Sequence, residues 1–140
     1  MSSDVGWNVA LLAATAGHAG FQLTVTVLVY PAFAAVPAPL WVDWHDRHSR
    51  RIVPLVAVVY LALAVTSVGA LLSGPGLATW LAVAASAVVV GITAGLAAPL
   101  HARLGPAPAP ELLSRLLWAD RLRTVVALVA LAAAWAGASA

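Results

Sequence analysis

Apolar residues run almost unbroken through four stretches of the chain, roughly 5–36, 52–73, 77–100 and 122–140, and the few polar positions within them recur at helical spacing. The clearest case is the first stretch. Thr15, His18, Gln22, Thr26 and Tyr30 lie three, four, four and four residues apart. That spacing stacks them in one stripe, while Ala, Leu and Val cover the rest of the helix. A His and a Gln facing hydrocarbon without partners are costly, so the stripe is expected to face other helices or a polar cavity. A membrane core of about 30 Å takes about 20 helical residues to cross, which the four stretches meet or nearly meet. The expectation is an all-α integral membrane four-helix bundle, a single domain over 1–140, with short amphipathic interfacial helices on the cytoplasmic side.

Between the first two stretches, two prolines in Val36-Pro37-Ala38-Pro39 stop the helix, and a short amphipathic helix is expected to run through about Arg51. Trp41, Trp44, His45, His48 and Ile52 share one face of it. Asp43/Arg47 and Asp46/Arg50 form acid-before-base pairs on the other, each worth about 0.2–0.5 kcal/mol if exposed. Pro54 is expected in the first turn of the second span, where a proline costs little. The Ser73-Gly74-Pro75-Gly76 turn makes spans two and three a hairpin. Gly91, Ala94, Gly95 and Ala98 would allow close helix contact. After the proline-rich 105–110 segment, the proline-free run from Glu111 to Gly137 reads as one long helix with an interfacial first part.

Composition supports a membrane setting. Of 140 residues 63% are hydrophobic and 9% charged, with a mean hydropathy of +0.98, outside the range of ordinary soluble domains. Continuous Ala- and Leu-rich runs exclude an alternating-strand barrel. The first run lacks a basic leader and reads as a mature span. Cysteine is absent, which removes disulfides and thiolate chemistry. The pI of 9.9 could point to nucleic acid, but placement points to topology. All seven basic residues are Arg (47, 50, 51, 103, 115, 121 and 123), and all fall in or beside the two connections on one side. The positive-inside rule then puts both termini outside a cell membrane, and Trp41, Trp44 and Trp118 toward the inner interface, Trp7, Trp80 and Trp135 toward the outer. The Lys-free, Ala-rich composition resembles that of a GC-rich bacterial genome.

Candidate chemistry gathers at the Arg-rich end. His45, His48 and His101 share one membrane level with Asp120, Arg123 and Tyr30. The three imidazoles could ligate a transition metal with an open position. Without metal they could act as bases, with Asp120 fixing a tautomer and Arg123 stabilising developing negative charge. His18, Gln22, Tyr30 and Trp44 are candidate substrate-binding groups; His18 lies about 18 Å from Tyr30 along the helix, outside the first shell of His45 and His48. Against this stands the packing reading, in which His18 and Gln22 are polar glue and Arg123 snorkels. No nucleotide loop, serine triad or paired-carboxylate motif occurs.

The strings Tyr30-Pro31-Ala32-Phe33, His45-Asp46-Arg47-His48-Ser49-Arg50-Arg51-Ile52, Pro99-Leu100-His101-Ala102-Arg103-Leu104 and Asp120-Arg121-Leu122-Arg123-Thr124 resemble those of small four-span bacterial proteins of the anthrone-oxygenase-like family. In that pattern an Asn stands where this chain has Asp120, and an aromatic follows the Arg-Thr pair. The resemblance implies oxidation of lipophilic polycyclic phenols, in some cases without an obvious cofactor. The leading expectation is therefore a membrane enzyme of oxygenase, cyclase or isomerase type, with a lipophilic small molecule and membrane lipids as partners. The alternative is a non-catalytic scaffold or binding subunit; a homo-oligomer is compatible with either.

Overall fold

The computed structural model describes residues 2–139, with side chains from Gly6 onward. The described residues form four long helical units and no strand. Helix α1 comprises Ser2–Thr24, a π turn Val25–Val29 and Tyr30–Ala34. Helix α2 begins with a 3-10 turn, Ala38–Leu40, and continues as Trp41–Leu72. Helix α3 comprises Leu77–Ile92, a π turn Thr93–Ala97 and Ala98–Leu104. Helix α4 is Pro110–Ala138. The first three units are long and apolar enough to cross a membrane. The first half of α4 carries Glu111, Arg115, Asp120, Arg121 and Arg123.

Both π turns have the same cause. A proline cannot donate to the carbonyl four residues back, and its ring clashes with that carbonyl. Pro31 and Pro99 each stand two residues beyond a π turn, and the helix widens just before the proline. The Tyr30 N–H reaches the Val25 carbonyl, five residues back, and the Ala98 N–H reaches that of Thr93.

Helix α4 is central, packing along both α1 and α3, while α1 packs along α2 and the α2–α3 edge is the loosest. A buried stripe on α4 explains its position: Ala119, Asp120, Arg123, Ala127, Ala130 and Ala134. Alanine at every third or fourth residue lets helix backbones approach closely. The outward face of α2 has the opposite character, with Val53, Val58, Leu61, Val65, Val68 and Leu72 exposed. A contiguous apolar surface of this extent is foreign to a soluble monomer.

Several local expectations need correction. The segment after Pro39 is not a separate interfacial helix; α2 runs through it without a break, so Pro54 sits well inside the helix rather than in its first turn. Helix propensity on both sides carries the backbone through. Asp46 and Arg50 pair at 2.7 Å, whereas among the described residues Asp43 and Arg47 form no ion pair. Trp41 is not an interfacial anchor: it is buried, and its indole N–H donates to the Leu104 carbonyl at 2.6 Å. Gly91, Ala94, Gly95 and Ala98 are exposed, and a Cβ added at Gly91 or Gly95 would meet nothing within 4 Å. The close approach is made elsewhere, by Gly69, whose absent Cβ leaves room for the Trp7 ring. The long helix expected from Glu111 is present as α4.

Candidate active site

The polar stripe of α1 points inward. Thr15, His18, Gln22 and Tyr30 are buried and Thr26 is half-buried. Opposite it, α4 presents Asp120 and Arg123, three apart on one face, only 1% and 7% exposed. Their ion pair closes at 2.8 Å. The same Asp120 Oδ1 accepts from Gln22 Nε2 at 2.5 Å, and Oδ2 accepts from the Thr26 hydroxyl at 2.6 Å. Thr26 and Thr124 hydroxyls lie 2.7 Å apart. A buried carboxylate is tolerated when paired and hydrogen-bonded in this way.

From Arg123 the network continues to α3 and α2. Arg123 Nη1 donates to Thr93 Oγ1 at 3.3 Å. The Thr93 hydroxyl lies 2.9 Å from the Val89 carbonyl and 2.6 Å from the Tyr60 hydroxyl. Arg123 thus spends two of its N–H groups on Asp120 and Thr93, and its buried Nε has no partner among the described residues.

A second cluster lies toward the Arg-rich end, where the end of α1, the start of α2 and the end of α3 meet. Phe33 is its hub, with ring centroids 6.2, 5.0 and 5.8 Å from those of His45, His48 and His101. Trp41 stacks on His45, and Trp44 on His48. The imidazoles of His45 and His101 are 4.4 Å apart, those of His48 and His101 5.7 Å. The three predicted histidines do converge, but among the described residues no three His, Asp or Glu side chains are arranged to hold a metal ion. Aromatic contacts, not a common point, set the ring orientations. Ser49 links two of the histidines: its hydroxyl lies 2.9 Å from the His45 carbonyl and 3.1 Å from His101 Nε2.

Between the two clusters is a cavity of about 170 Å³. All four helices contribute. Gln22, Tyr30, His48, Tyr60, His101 and Arg123 supply its polar wall, and Phe21, Val25, Val29, Ile52, Val56 and Ala97 its apolar one. Each π turn lends residues to it. Through Val29, His48 and Ile52 the cavity adjoins a surface depression lined also by Trp44, Arg47, Arg51 and Leu55.

Of the predicted site residues, Gln22, Tyr30, His48, His101 and Arg123 line the cavity. His45 lies behind His101, Trp44 lines the neighbouring depression, and Asp120 contacts Arg123, Gln22 and Thr26 rather than any histidine. The role expected for Asp120, orienting an imidazole, has no contact to carry it: its carboxylate is taken by Arg123, Gln22 and Thr26. His18 is buried against the edge of the Tyr60 ring at 5.7 Å, with both ring nitrogens unpartnered among the described residues. Sequence reasoning did not assign Tyr60, Thr93, Ser49 or Phe33. The signal for Tyr60 and Thr93 was their rarity as polar groups in apolar helices, and for the cavity itself the prolines at 31 and 99.

No family model, curated protein or solved structure matches the chain.

Proposed function

We propose that the protein is a membrane-embedded enzyme that takes a lipophilic phenol or enolisable ketone from the bilayer and oxidises it at the cavity lined by all four helices. The carrying observation is the cavity itself, in which two imidazoles and a guanidinium with unspent donors face an apolar wall inside a helical bundle. Such a mixture suits proton abstraction beside a carbonyl. The reading takes four spans in a bacterial cell membrane with both termini outside, the orientation that the positive-inside rule favours for one-sided arginines.

In the proposed reaction a ring CH2 activated by a carbonyl, as in an anthrone, loses a proton to His101 or to His48. The electron pair moves onto the carbonyl oxygen, where spare N–H groups of Arg123 stabilise the enolate. Dioxygen is the co-reactant: the CH2 becomes C=O, and the second oxygen atom leaves with both hydrogens as water. Asp120 compensates the Arg123 charge and fixes its position. The adjoining depression gives a path from lipid past His48. The resemblance of the four motif strings to anthrone-oxygenase-like proteins supports the same substrate class.

The test is oxygen uptake and product mass in proteoliposomes supplied with anthrones. His48→Ala and His101→Ala are expected to lower turnover by about 10²–10⁴-fold, the usual range for losing a general base, with unchanged membrane insertion. Undiminished turnover in both variants would sink the reading.

The scaffold reading keeps one specific observation in its favour. The Asp120 carboxylate is engaged within the chain by Arg123, Gln22 and Thr26, and this network would hold α1 against α4 whether or not a substrate exists.

A further inference from the structure

On the opposite side of the bundle, the inner ends of α3 and α4 bound a groove of about 370 Å³ that shares no residue with the cavity. Its walls are apolar: Leu96 and Leu100 from α3, Trp118 from α4, with Gly95 at the far end. Arg103 and Arg115 stand in its lining as well, one from each helix. Both are exposed, and among the described residues neither is in an ion pair. Glu111, one turn before Arg115, does not engage it, and Asp120, five residues after Arg115 on the same helix, is spent on Arg123, Gln22 and Thr26.

We infer that this groove binds one anionic phospholipid, its phosphate between Arg103 and Arg115 and an acyl chain along Leu96, Leu100 and Trp118 toward Gly95. The inference rests on the membrane-spanning reading above and not on the enzymatic one.

The geometry fits a lipid better than a free anion. Arg103 and Gly95 are eight residues apart on α3, so the groove runs about 12 Å from its charged end toward the middle of the bundle. Two guanidiniums at one end and aliphatic walls along the rest match a molecule that is anionic at one end only. A Cβ added at Gly95 would meet nothing within 4 Å, so the floor there is open. Basic pockets between spanning helices are the usual seat of anionic headgroups, and an exposed Trp beside them suits the headgroup level. Charge complementarity therefore selects phosphatidylglycerol or another anionic lipid over phosphatidylcholine.

The experiment is lipid retention by the purified full chain, read by native mass spectrometry after equilibration with phosphatidylglycerol, phosphatidylcholine or inorganic phosphate. Phosphatidylglycerol should be retained at least tenfold over phosphatidylcholine. The double variant Arg103→Gln/Arg115→Gln should lose that preference, and Gly95→Leu, which fills the groove but keeps both charges, should lower retention at least threefold. Arg50→Gln, already paired with Asp46, should change nothing. Inorganic phosphate should not compete at millimolar concentration; if it displaces the lipid fully, the site is a bare anion site and the inference fails. Equal retention of both lipids, or preference surviving in the double variant, would also overturn it. Alkaline carbonate extraction of the wild type from vesicles is the separate check: release from the membrane would overturn the spanning reading and the groove with it, whereas retention with no lipid preference overturns the groove alone.

Discussion

The two halves of this bundle are built from different materials. Away from the arginines, Leu11, Ala70, Ala82 and Ala134 form a small-residue core, with Gly69 under Trp7 and Gly137 beside Thr79. Its buried hydroxyl groups are locally satisfied: Ser86 returns to the Ala82 carbonyl, and Thr79 donates to Asn8 Oδ1. Toward the arginines, the core is Phe33, Tyr30, Trp41, Leu104 and Leu116 around three imidazoles, with a cavity above it and a charged pair beyond. Small residues bring backbones together and leave no room. Large aromatics and two π turns hold them apart, and the space between is lined by groups with unspent donors. Function is expected in the half where packing is interrupted.

The largest effect expected of any change that tests this contrast is at Asp120. Replacing it with Ala leaves the Arg123 guanidinium buried without its counter-charge and strips acceptors from Gln22 and Thr26. Breaking a buried pair from one side costs about 3–5 kcal/mol. Thermal unfolding in detergent should show it as a large fall in Tm, and Asp120→Asn with Arg123→Met, which removes both charges, should recover much of the loss. A small effect of Asp120→Ala would mean that water reaches this depth, and that the two halves differ less than their side chains indicate.

Next comes Gly69, which probes the close-packed half. A Cβ there would overlap the Trp7 ring. Overpacking of this kind costs about 1–3 kcal/mol, so Gly69→Ala should lower Tm while leaving the proposed turnover at the distant cavity unchanged per folded molecule. If turnover falls as steeply as stability, the halves are mechanically coupled.

How much of this was legible beforehand differs between the halves in the same way. The stripe Thr15, His18, Gln22, Thr26 and Tyr30 was readable because a polar group in an apolar helix has few places to go, and burial followed. The meeting of His45, His48 and His101 was readable because chain reversal returns them to one end. Asp120 was misread because proximity in membrane level does not choose among partners; Gln22 and Thr26 on the facing helix reached it first. The small face on α3 was misread because periodicity names a face without saying which neighbour it meets. The polar stripe of α1 pointed to a cavity; what its spacing did not show is that two π turns, ahead of Pro31 and Pro99, lend residues to the wall.

A smaller effect is expected at Trp41, which ties α2 to the end of α3 through its N–H to the Leu104 carbonyl. Trp41→Phe keeps most of the aromatic bulk and leaves that carbonyl without its indole donor. The cost should be about 1 kcal/mol, the net worth of one such bond. Turnover should fall further than stability does, because the indole stacks on His45, which in turn lies against His101. Equal small losses in both would make Trp41 a packing residue alone.

The smallest effect separates the buried face of the α2 extension from its wet one. Asp46 and Arg50 pair at 2.7 Å with side chains 57% and 68% exposed. Exposed pairs four apart on a helix contribute about 0.3–0.5 kcal/mol, because water already screens both charges and each long side chain loses freedom in pairing. Asp46→Ala should therefore shift Tm by little, and that little should vanish in high salt, where the screening length falls to about 3 Å at 1 M. Its neighbour His45, one residue back, faces the aromatic cluster instead, and His45→Ala should lower Tm more than Asp46→Ala and do so independently of salt. A large, salt-insensitive loss at Asp46 would show that the charged face of α2 is buried against something else, and that the wet side of this end of the bundle has been assigned to the wrong surface.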